Sequence, residues 1–157
     1  SFVSRGLGDV YKRQVLALGC FWGPEIKFSK IEGVIKTEVG YCGGNNPTTT
    51  YKEVCTGKTN HAEVVKIDFE EKIITYEKIL KIFFQIHDPT TLNSQGPDFG
   101  TQYRSEIFYL NNTQKIIAEK VLKDVNERLS GKVVTKITLL NNYCQAEEYH
   151  QKYLEKR

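Results

Sequence analysis

The sequence predicts one α+β domain, a two-layer sandwich in which helices cover a mixed β-sheet. The length of 157 residues suits a single domain. Segments with strand-like and helix-like apolar periods alternate along the chain. Two strand patterns follow each other before the second helix, an order that a regular series of parallel βαβ units does not give.

The first half of the chain predicts three strands and one helix. An apolar run at residues 15–18 predicts a buried strand, and alternating apolar residues predict strands at 35–41 and 61–69. Pro24 suits the first turn of a helix between the first two strands, and Gly33 ends that helix.

The second half predicts two more strands and three helices. Thr75 predicts the start of a helix, and residues 88–104 predict a loop of the long kind that is often functional. The remaining elements are a strand at 105–110, a helix from 112 to Gly131, a strand at 133–140 and a final helix at 146–156. We expect these elements to form a ferredoxin-like core.

Residues 1–14 differ in character from the rest of the chain. They show no clean apolar period, and the chain does not begin with Met. We therefore expect a foreign or disordered leader, an artefact of sequence assembly, followed by a single catalytic domain over residues 15–157. Truncation of a longer protein at Arg157 is left open.

The charge pattern argues against several classes of partner. The formal net charge is +3, and two of these charges belong to residues 1–14. Because the sequence shows no basic patch, we expect neither nucleic acid nor a membrane surface as a partner. No apolar run reaches the ~18–20 residues that span a bilayer. We expect a monomer.

Four cysteines, at positions 20, 42, 55 and 144, favour redox-active thiols over a structural framework. They form no C-x-x-C pair, so zinc binding is not predicted, and the chain is too poor in cysteine for a disulfide scaffold. One or two working thiols in a reducing compartment, the cytoplasm, fit better. We expect no metal and no organic cofactor.

Cys20 is the strongest candidate for chemistry. It lies between a predicted buried strand and a helix N-terminus, where backbone N–H groups and the helix dipole lower the pKa of a cysteine. Phe21 and Trp22 beside it can wall an apolar pocket. From position alone, a small buried residue explains Cys20 equally well, and a core residue explains Trp22.

Glu63 is the candidate acid. It shares a strand face with Val65 and Ile67, where burial would raise the pKa of its carboxyl. A glutamate at a strand end that reaches solvent explains the same pattern. Tyr51 and Tyr103 lie in predicted loops and can donate O–H hydrogen bonds, although most loop tyrosines merely cover surface.

The segment Gly19-Cys20-Phe21-Trp22-Gly23 resembles the signature of the peptide methionine sulfoxide reductase A family. Six further blocks resemble family blocks in the family's order, at residues 40–44, 50–55, 61–65, 87–89, 100–105 and 146–151. The resemblance covers about residues 15–157. One pentapeptide recurs by chance, whereas six ordered blocks at matching intervals do not.

The resemblance implies a function. A member of this family reduces the S epimer of methionine sulfoxide, free or in proteins, and thereby repairs oxidised proteins under oxidative stress. Its nucleophile becomes a sulfenic acid, and a dithiol such as thioredoxin regenerates it. The resemblance implies these roles: Cys20 as nucleophile, Glu63 as acid, Tyr51 and Tyr103 as ligands of the sulfoxide oxygen, Phe21 and Trp22 as the methyl pocket, and Asp98 as a substrate contact.

The sequence departs from the family pattern at three places. Asn60 replaces a usual glycine, and Phe99 stands where histidine is common. The chain also ends at Arg157, without the Cys-bearing tail that many relatives add.

An internal resolving thiol would therefore be Cys42, Cys55 or Cys144. We favour Cys144, because relatives often have an aromatic residue near the pocket in the following 146–151 block. Cys55 looks like a buried structural thiol, and Cys42 lies in a Gly-rich turn. A cycle in which an external reductant attacks Cys20 directly, and a lost tail, are the alternatives.

Two interpretations from other classes use the same residues. A cysteine hydrolase would pair Cys20 with His150 as its base and would need an oxyanion hole. A peptide-binding module would use Phe21 and Trp22 without turnover. Retained binding without turnover on a methionyl sulfoxide would favour the second interpretation.

Overall fold

The computed structural model describes residues 11–156. The strands are β1 (Tyr11–Leu18), β2 (Val34–Cys42), β3 (Ala62–Glu70), β4 (Ser94–Gln95), β5 (Asp98–Phe99), β6 (Ser105–Tyr109), β7 (Lys136–Leu139) and β8 (Cys144–Gln145). The α-helices are α1 (Trp22–Ser29), α2 (Tyr51–Cys55), α3 (Tyr76–Ile86) and α4 (Asn112–Arg128), and short 3-10 helices cover Thr101–Tyr103 and Glu148–His150.

Six strands form one sheet in the order β7-β6-β1-β3-β2-β8. β1 pairs antiparallel with β3 and β6, and β2 pairs antiparallel with β3 and β8, whereas β6 and β7 are parallel. β4 and β5 form a small hairpin outside this sheet. The predicted α+β class with a mixed sheet is confirmed, and the ferredoxin-like core stays a prediction.

The main hydrophobic core lies between the sheet and the helices. On β3, Val65, Ile67 and Phe69 are fully buried in this core, as their alternation predicts. The opposite face of the sheet carries a smaller apolar cluster that includes Ala62 and Val64. Glu63 therefore points to the same side of the sheet as the helices.

The first strand begins earlier than predicted. Residues 11–14 belong to β1 and pair with β3, and Arg13 forms an ion pair with Asp68 at 2.8 Å. The predicted strand start at Val15 is therefore wrong by four residues. Residues 1–10 lie outside the described part of the chain, so the expectation of a foreign leader stays a prediction.

The predicted final helix over residues 146–156 is wrong. The segment holds a 3-10 turn at Glu148–His150 followed by turns, and Lys152 has a φ of +54°. The Gln151 side chain binds both the N–H and the carbonyl of Val39, at 2.9 Å each. The Lys152 backbone N–H donates to the Glu25 carboxylate at 2.8 Å, so it is not available for a helical hydrogen bond.

The sequence did not predict the short elements α2, β4, β5, β8 and the 3-10 turn at Thr101–Tyr103. β8 lies beside the segment that leads into α2, where the Cys144 sulfur is 3.7 Å from the Thr49 carbonyl. No helix within residues 11–156 combines the length and apolar character needed to cross a membrane.

Candidate active site

Cys20 lies where the chain turns from β1 into α1. Gly19 makes this turn with a φ of +98°, and a Cβ there would lie 2.8 Å from the side chain of Gln95. Only glycine adopts this conformation readily and fits so close to a neighbouring chain. The turn leaves Cys20 partly buried, two residues before the first residue of α1.

The pKa of Cys20 is raised rather than lowered. Burial raises the pKa of this thiol to about 11 against the backbone N–H of Trp22, which lowers it, while the Glu63 and Asp98 carboxyls raise it further. The lowered pKa expected from the helix N-terminus is therefore wrong for the free protein. Near neutral pH, Cys20 rests as a thiol.

Glu63 has the environment that its strand pattern predicts. It is 1% exposed, and its Oε1 accepts a hydrogen bond of 3.1 Å from the backbone N–H of Phe21. Burial raises the pKa of its carboxyl to about 8, with the Phe21 N–H lowering it and Asp98 raising it. A glutamate that reaches solvent is thus excluded, and Glu63 is mostly neutral at pH 7.

Tyr51 and Tyr103 approach this carboxyl from two elements. Tyr51 is the first residue of α2, and Tyr103 is the last residue of the 3-10 turn before β6. Burial raises the pKa of both hydroxyls, to about 12 for Tyr103, and Glu63 contributes to both shifts. Both phenols therefore stay protonated and can donate hydrogen bonds.

Phe21 and Trp22 form an aromatic group with the C-terminal segment. Phe21 is buried, and its ring centroid lies 5.2 Å from that of His150. Trp22 stacks on Tyr153 with centroids 3.8 Å apart, and its Nε1–H donates to His150 Nδ1 at 3.0 Å. Phe21 and Trp22 thus have a structural role, in addition to the methyl pocket that the family resemblance implies.

A cavity of about 250 Å³ opens beside Cys20. Asp98 and Lys27 line it together with Leu18, Pro24, His87 and Gln95, so the structure brings Asp98 and Cys20 to one opening. Within the described residues, Phe21 and Trp22 do not line this cavity.

Sequence reasoning missed the residues that hold the tyrosines in place. The Glu147 carboxylate accepts hydrogen bonds of 2.8 Å from the Tyr41 hydroxyl and from the backbone N–H of Tyr51. Burial opposes ionisation, but these two donors hold the pKa of Glu147 below its usual value. The block at 146–151 marked this segment, but only the fold shows which atoms it contacts.

His150 is bound to the aromatic group rather than to the thiol. Its Nδ1 accepts the Trp22 indole N–H, and burial lowers the pKa of its ring. Its ring centroid also lies 4.5 Å from that of Tyr51. The hydrolase interpretation needs the His150 ring bonded to the Cys20 thiol, and this ring is bonded to Trp22 instead.

The other cysteines differ sharply in access. Cys42 is fully buried and its sulfur lies 3.2 Å from the Asn141 carbonyl, whereas Cys144 is partly buried in β8. Cys55 is exposed, so the expectation that it is a buried structural thiol is wrong. Within residues 11–156, no three His, Cys, Asp or Glu side chains lie close enough to hold a metal ion.

The fold and this site define an α+β enzyme built around a cysteine at a helix N-terminus. A family model described as peptide methionine sulfoxide reductase matches residues 12–157. The peptide methionine sulfoxide reductase MsrA of Pelagibacter ubique is 79% identical over 143 residues, which cover 91% of this chain and 97% of that protein. The MsrA of Methanococcus maripaludis is 50% identical over 143 residues, 91% of each chain. The chain belongs to the peptide methionine sulfoxide reductase family.

Solved structures of relatives have the same fold as this chain. Reduced Mxr1 from Saccharomyces cerevisiae superposes with a TM-score of 0.90 at 39% identity, covering 95% of this chain and 87% of that chain. Mxr1 in complex with Trx2 superposes with a TM-score of 0.67 at 25% identity, covering 92% and 86%.

Proposed function

We propose that this protein reduces the S epimer of methionine sulfoxide, free or in proteins, to methionine, with Cys20 as the attacking thiol. Family membership supports the reaction, and the site supports the residue. The observation that carries the proposal is a buried, neutral Glu63 beside Cys20. A sulfoxide sulfur becomes a good electrophile when its oxygen receives a proton or strong hydrogen bonds, and Glu63 can supply that proton.

Tyr51 and Tyr103 assist Glu63 at the sulfoxide oxygen. Both hydroxyls are protonated, and the charge of the Glu63 carboxylate helps to raise the pKa of each. Donors that are held in place before the reaction stabilise the charge that develops on oxygen without reorganisation. The same hydrogen bonds select a sulfoxide over a thioether, because methionine offers no oxygen to accept them.

The reaction transfers one oxygen from substrate to enzyme. Cys20 sulfur attacks the substrate sulfur while Glu63 protonates the oxygen. An S–S bond forms between the two sulfurs, and the S–O bond of the substrate breaks. The released hydroxide then attacks the Cys20 sulfur, the S–S bond breaks, methionine leaves, and Cys20 becomes a sulfenic acid. The proton that Cys20 gives up replaces the one that Glu63 donates, so the step needs no net proton. The substrate is reduced by two electrons and Cys20 is oxidised by two.

The substrate is held by groups on both sides of Cys20. Trp22, which is only partly buried, provides apolar surface for the S-methyl group, and the buried Phe21 backs the wall of this methyl pocket. Asp98, which shares the cavity with Cys20, is placed to bind the polar main chain of the substrate.

Regeneration requires a dithiol. Two thiols of one reductant return Cys20 sulfenic acid to a thiol, and the reductant becomes a disulfide while water is released. A protein of the thioredoxin class fits this role, which the complex of the relative Mxr1 with Trx2 supports. The natural task is then repair of oxidised proteins in the cytoplasm.

The test is chromatographic assay of a peptide that contains methionine S-sulfoxide, with dithiothreitol as reductant. We expect methionine peptide from the wild-type chain and none from Cys20→Ser, because a serine hydroxyl does not ionise near neutral pH. The R epimer serves as the control substrate and should remain unchanged. Turnover by Cys20→Ser above about 1% of wild type would move the nucleophile elsewhere.

A further inference from the structure

Glu147 joins strand β2 to the short helix α2 through its carboxylate. One oxygen, Oε1, accepts a hydrogen bond of 2.8 Å from the Tyr41 hydroxyl. The other, Oε2, accepts a hydrogen bond of 2.8 Å from the backbone N–H of Tyr51. No step of the proposed reaction uses this carboxylate, although both of its oxygens are engaged by residues beside the site.

Tyr41 links Glu147 to the candidate acid. Tyr41 is fully buried in the main core and lies directly opposite Glu63 in the antiparallel pairing of β2 with β3. Residues that face each other in such a pair have side chains on the same face of the sheet, with Cβ atoms about 4.5–5.5 Å apart. The Tyr41 ring centroid also lies 5.7 Å from that of Phe21, whose backbone N–H donates to Glu63. The Tyr41 hydroxyl therefore fixes Glu147 relative to Glu63.

Tyr51 begins a helix that has little support of its own. α2 contains five residues, of which Val54 is buried. A helix this short is not stable by itself in water, so its position depends on contacts from other segments. The Thr50 hydroxyl accepts the Glu53 N–H at 3.2 Å, but this cap lies within the same segment. Glu147 supplies a hydrogen bond from outside the segment, at the backbone of Tyr51 itself.

The turn that follows Glu147 contacts the ring of the same tyrosine. His150 is 1% exposed, and its ring centroid lies 4.5 Å from that of Tyr51. The His150 backbone N–H donates to the Glu147 carbonyl at 2.9 Å, so the carboxylate and the imidazole belong to one hydrogen-bonded turn. This turn thus contacts Tyr51 at both its backbone and its ring.

We propose that Glu147 is a positioning residue for the reduction step, a proposal that rests on the proposed function. Its carboxylate ties the first turn of α2 to Tyr41 and thereby sets the place of the Tyr51 hydroxyl relative to Glu63. Tyr51 and Glu63 must reach the same sulfoxide oxygen, so a misplacement of about 1 Å slows the reaction strongly. Glu147 itself takes no part in the transfer of oxygen or protons.

The experiment is a double-mutant cycle between Glu147 and Tyr51, measured as the single-turnover rate of methionine formation. Glu147→Ala removes both acceptor oxygens, and we expect the rate to fall about tenfold while Tyr51 is present. Tyr51→Phe removes the hydroxyl that Glu147 positions, so in that background we expect Glu147→Ala to cost less than about threefold. A merely structural role would lower the rate by the same factor in both backgrounds.

Two further variants separate positioning from loss of charge. Glu147→Gln keeps an oxygen for the Tyr51 N–H and places an NH2 group against the Tyr41 hydroxyl oxygen, which can accept it, so we expect a rate within about threefold of wild type. Glu148→Ala is the matched control, because it removes the same charge from the neighbouring exposed residue, and we expect the wild-type rate. Thermal unfolding and circular dichroism check the fold of each variant.

Tyr41→Phe decides the question if Glu147→Ala does not fold. It removes the hydroxyl that fixes Glu147 and leaves the hydrogen bond between Glu147 and the Tyr51 N–H. We expect the single-turnover rate to fall about threefold or more in Tyr41→Phe, with no further loss when it is added to Tyr51→Phe.

The outcomes that overturn the proposal differ from failure of the proposed function. A wild-type rate in folded Glu147→Ala, or equal losses with and without the Tyr51 hydroxyl, removes the positioning role while methionine is still produced. If Tyr51→Phe alone reacts as fast as wild type, Tyr51 does not act at the sulfoxide oxygen, and Glu147 has no hydroxyl to position. If the wild-type chain produces no methionine, the proposed function itself fails.

Discussion

Glu63 and Cys20 lose their protons in a defined order as the pH rises, and this order affects the proposed reaction. The pKa of Glu63 is about 8 and that of Cys20 about 11, so the carboxyl ionises first as pH rises. The proposed reaction needs the opposite arrangement, with the proton on Glu63 and the charge on Cys20. In that arrangement Glu63 and Cys20 hold one proton between them. Of the two forms with one proton, the form that carries it on Glu63 is the minor one.

Glu63→Gln tests the acid. The amide keeps the size of the side chain but cannot donate a proton to the sulfoxide oxygen. We expect the single-turnover rate of methionine formation to fall by about 10²–10⁴-fold, the usual contribution of general acid catalysis. Stopped reaction mixtures measure the rate, and circular dichroism checks the fold. A rate within about threefold of wild type would exclude the acid role.

The pH profile of kcat/KM tests the proton order, because this parameter reports the free enzyme. Below pH 8 both groups are protonated, and each unit of rising pH increases the form with one proton about tenfold. Above pH 8 the pair with one proton dominates, and the fraction of it that carries the proton on Glu63 does not depend on pH. The wild-type profile should therefore rise from pH 6 and flatten near 8.

Glu63→Gln supplies the control for this profile. Without the carboxyl, its residual rate should follow the Cys20 thiolate alone and keep rising beyond pH 8. A wild-type profile that falls between pH 6 and 8, or that rises without a break to pH 10, would contradict the proton order.

At the scale of elements, the sequence specified the strands far better than the segments that contact the site through side chains. The alternation along β3 placed Glu63 on the core side, and Thr75 caps α3 through the Lys78 N–H, as its position predicts. The segment 146–156 was misjudged, because Gln151 and Lys152 use their polar groups in contacts to distant residues. The local pattern of apolar residues does not indicate which distant residues these polar groups bind.

The same limit applied to the candidate site. The candidate site residues could be found from their motifs, but the solvent exposure of each cysteine could not. Cys55 lies in a motif block and is exposed, and the high pKa of Cys20 depends on burial by the whole fold. Both properties arise from packing between elements far apart in sequence.

Gly40→Ala tests whether close packing of β8 against β2 positions the site. A Cβ at Gly40 would lie 2.7 Å from the Cys144 carbonyl oxygen and from the Tyr143 ring. β8 must move to accept it, and Glu147 and His150 follow directly in the chain. We expect a loss of stability of about 1–3 kcal/mol, as for other overpacked sites, together with reduced activity.

Thermal unfolding and the sulfoxide assay measure the two effects of Gly40→Ala. Gly23→Ala is the control for stability, since a Cβ there meets no atom within 4 Å. If Gly40→Ala unfolds at the same temperature as Gly23→Ala and remains fully active, the contact between β2 and β8 does not position the site.

At the scale of the whole molecule, an ion pair between a buried carboxylate and a partly exposed ammonium joins three parts that are distant in sequence. Glu25 of α1 is 1% exposed and accepts hydrogen bonds from the Thr37 hydroxyl of β2, at 2.9 Å, and from the Lys152 backbone N–H, at 2.8 Å. The Lys152 ammonium lies 3.2 Å from the same carboxylate. Cys20, Glu63 and the C-terminal aromatic residues thus depend on one anchored helix.

Glu25→Gln tests this anchor with little change of shape. The amide leaves the Lys152 ammonium without its counter-charge and changes one acceptor oxygen into a donor facing other donors. Removal of one partner of a fully buried pair costs about 3–5 kcal/mol, and since Lys152 is 39% exposed we expect about 1–3 kcal/mol. Urea denaturation measures the loss. Glu77→Gln removes the surface pair with Lys81 and is the matched control, for which we expect a smaller change because exposed pairs contribute little. If both variants lose the same stability, the C-terminal segment is held by its aromatic contacts and not by the Glu25–Lys152 pair.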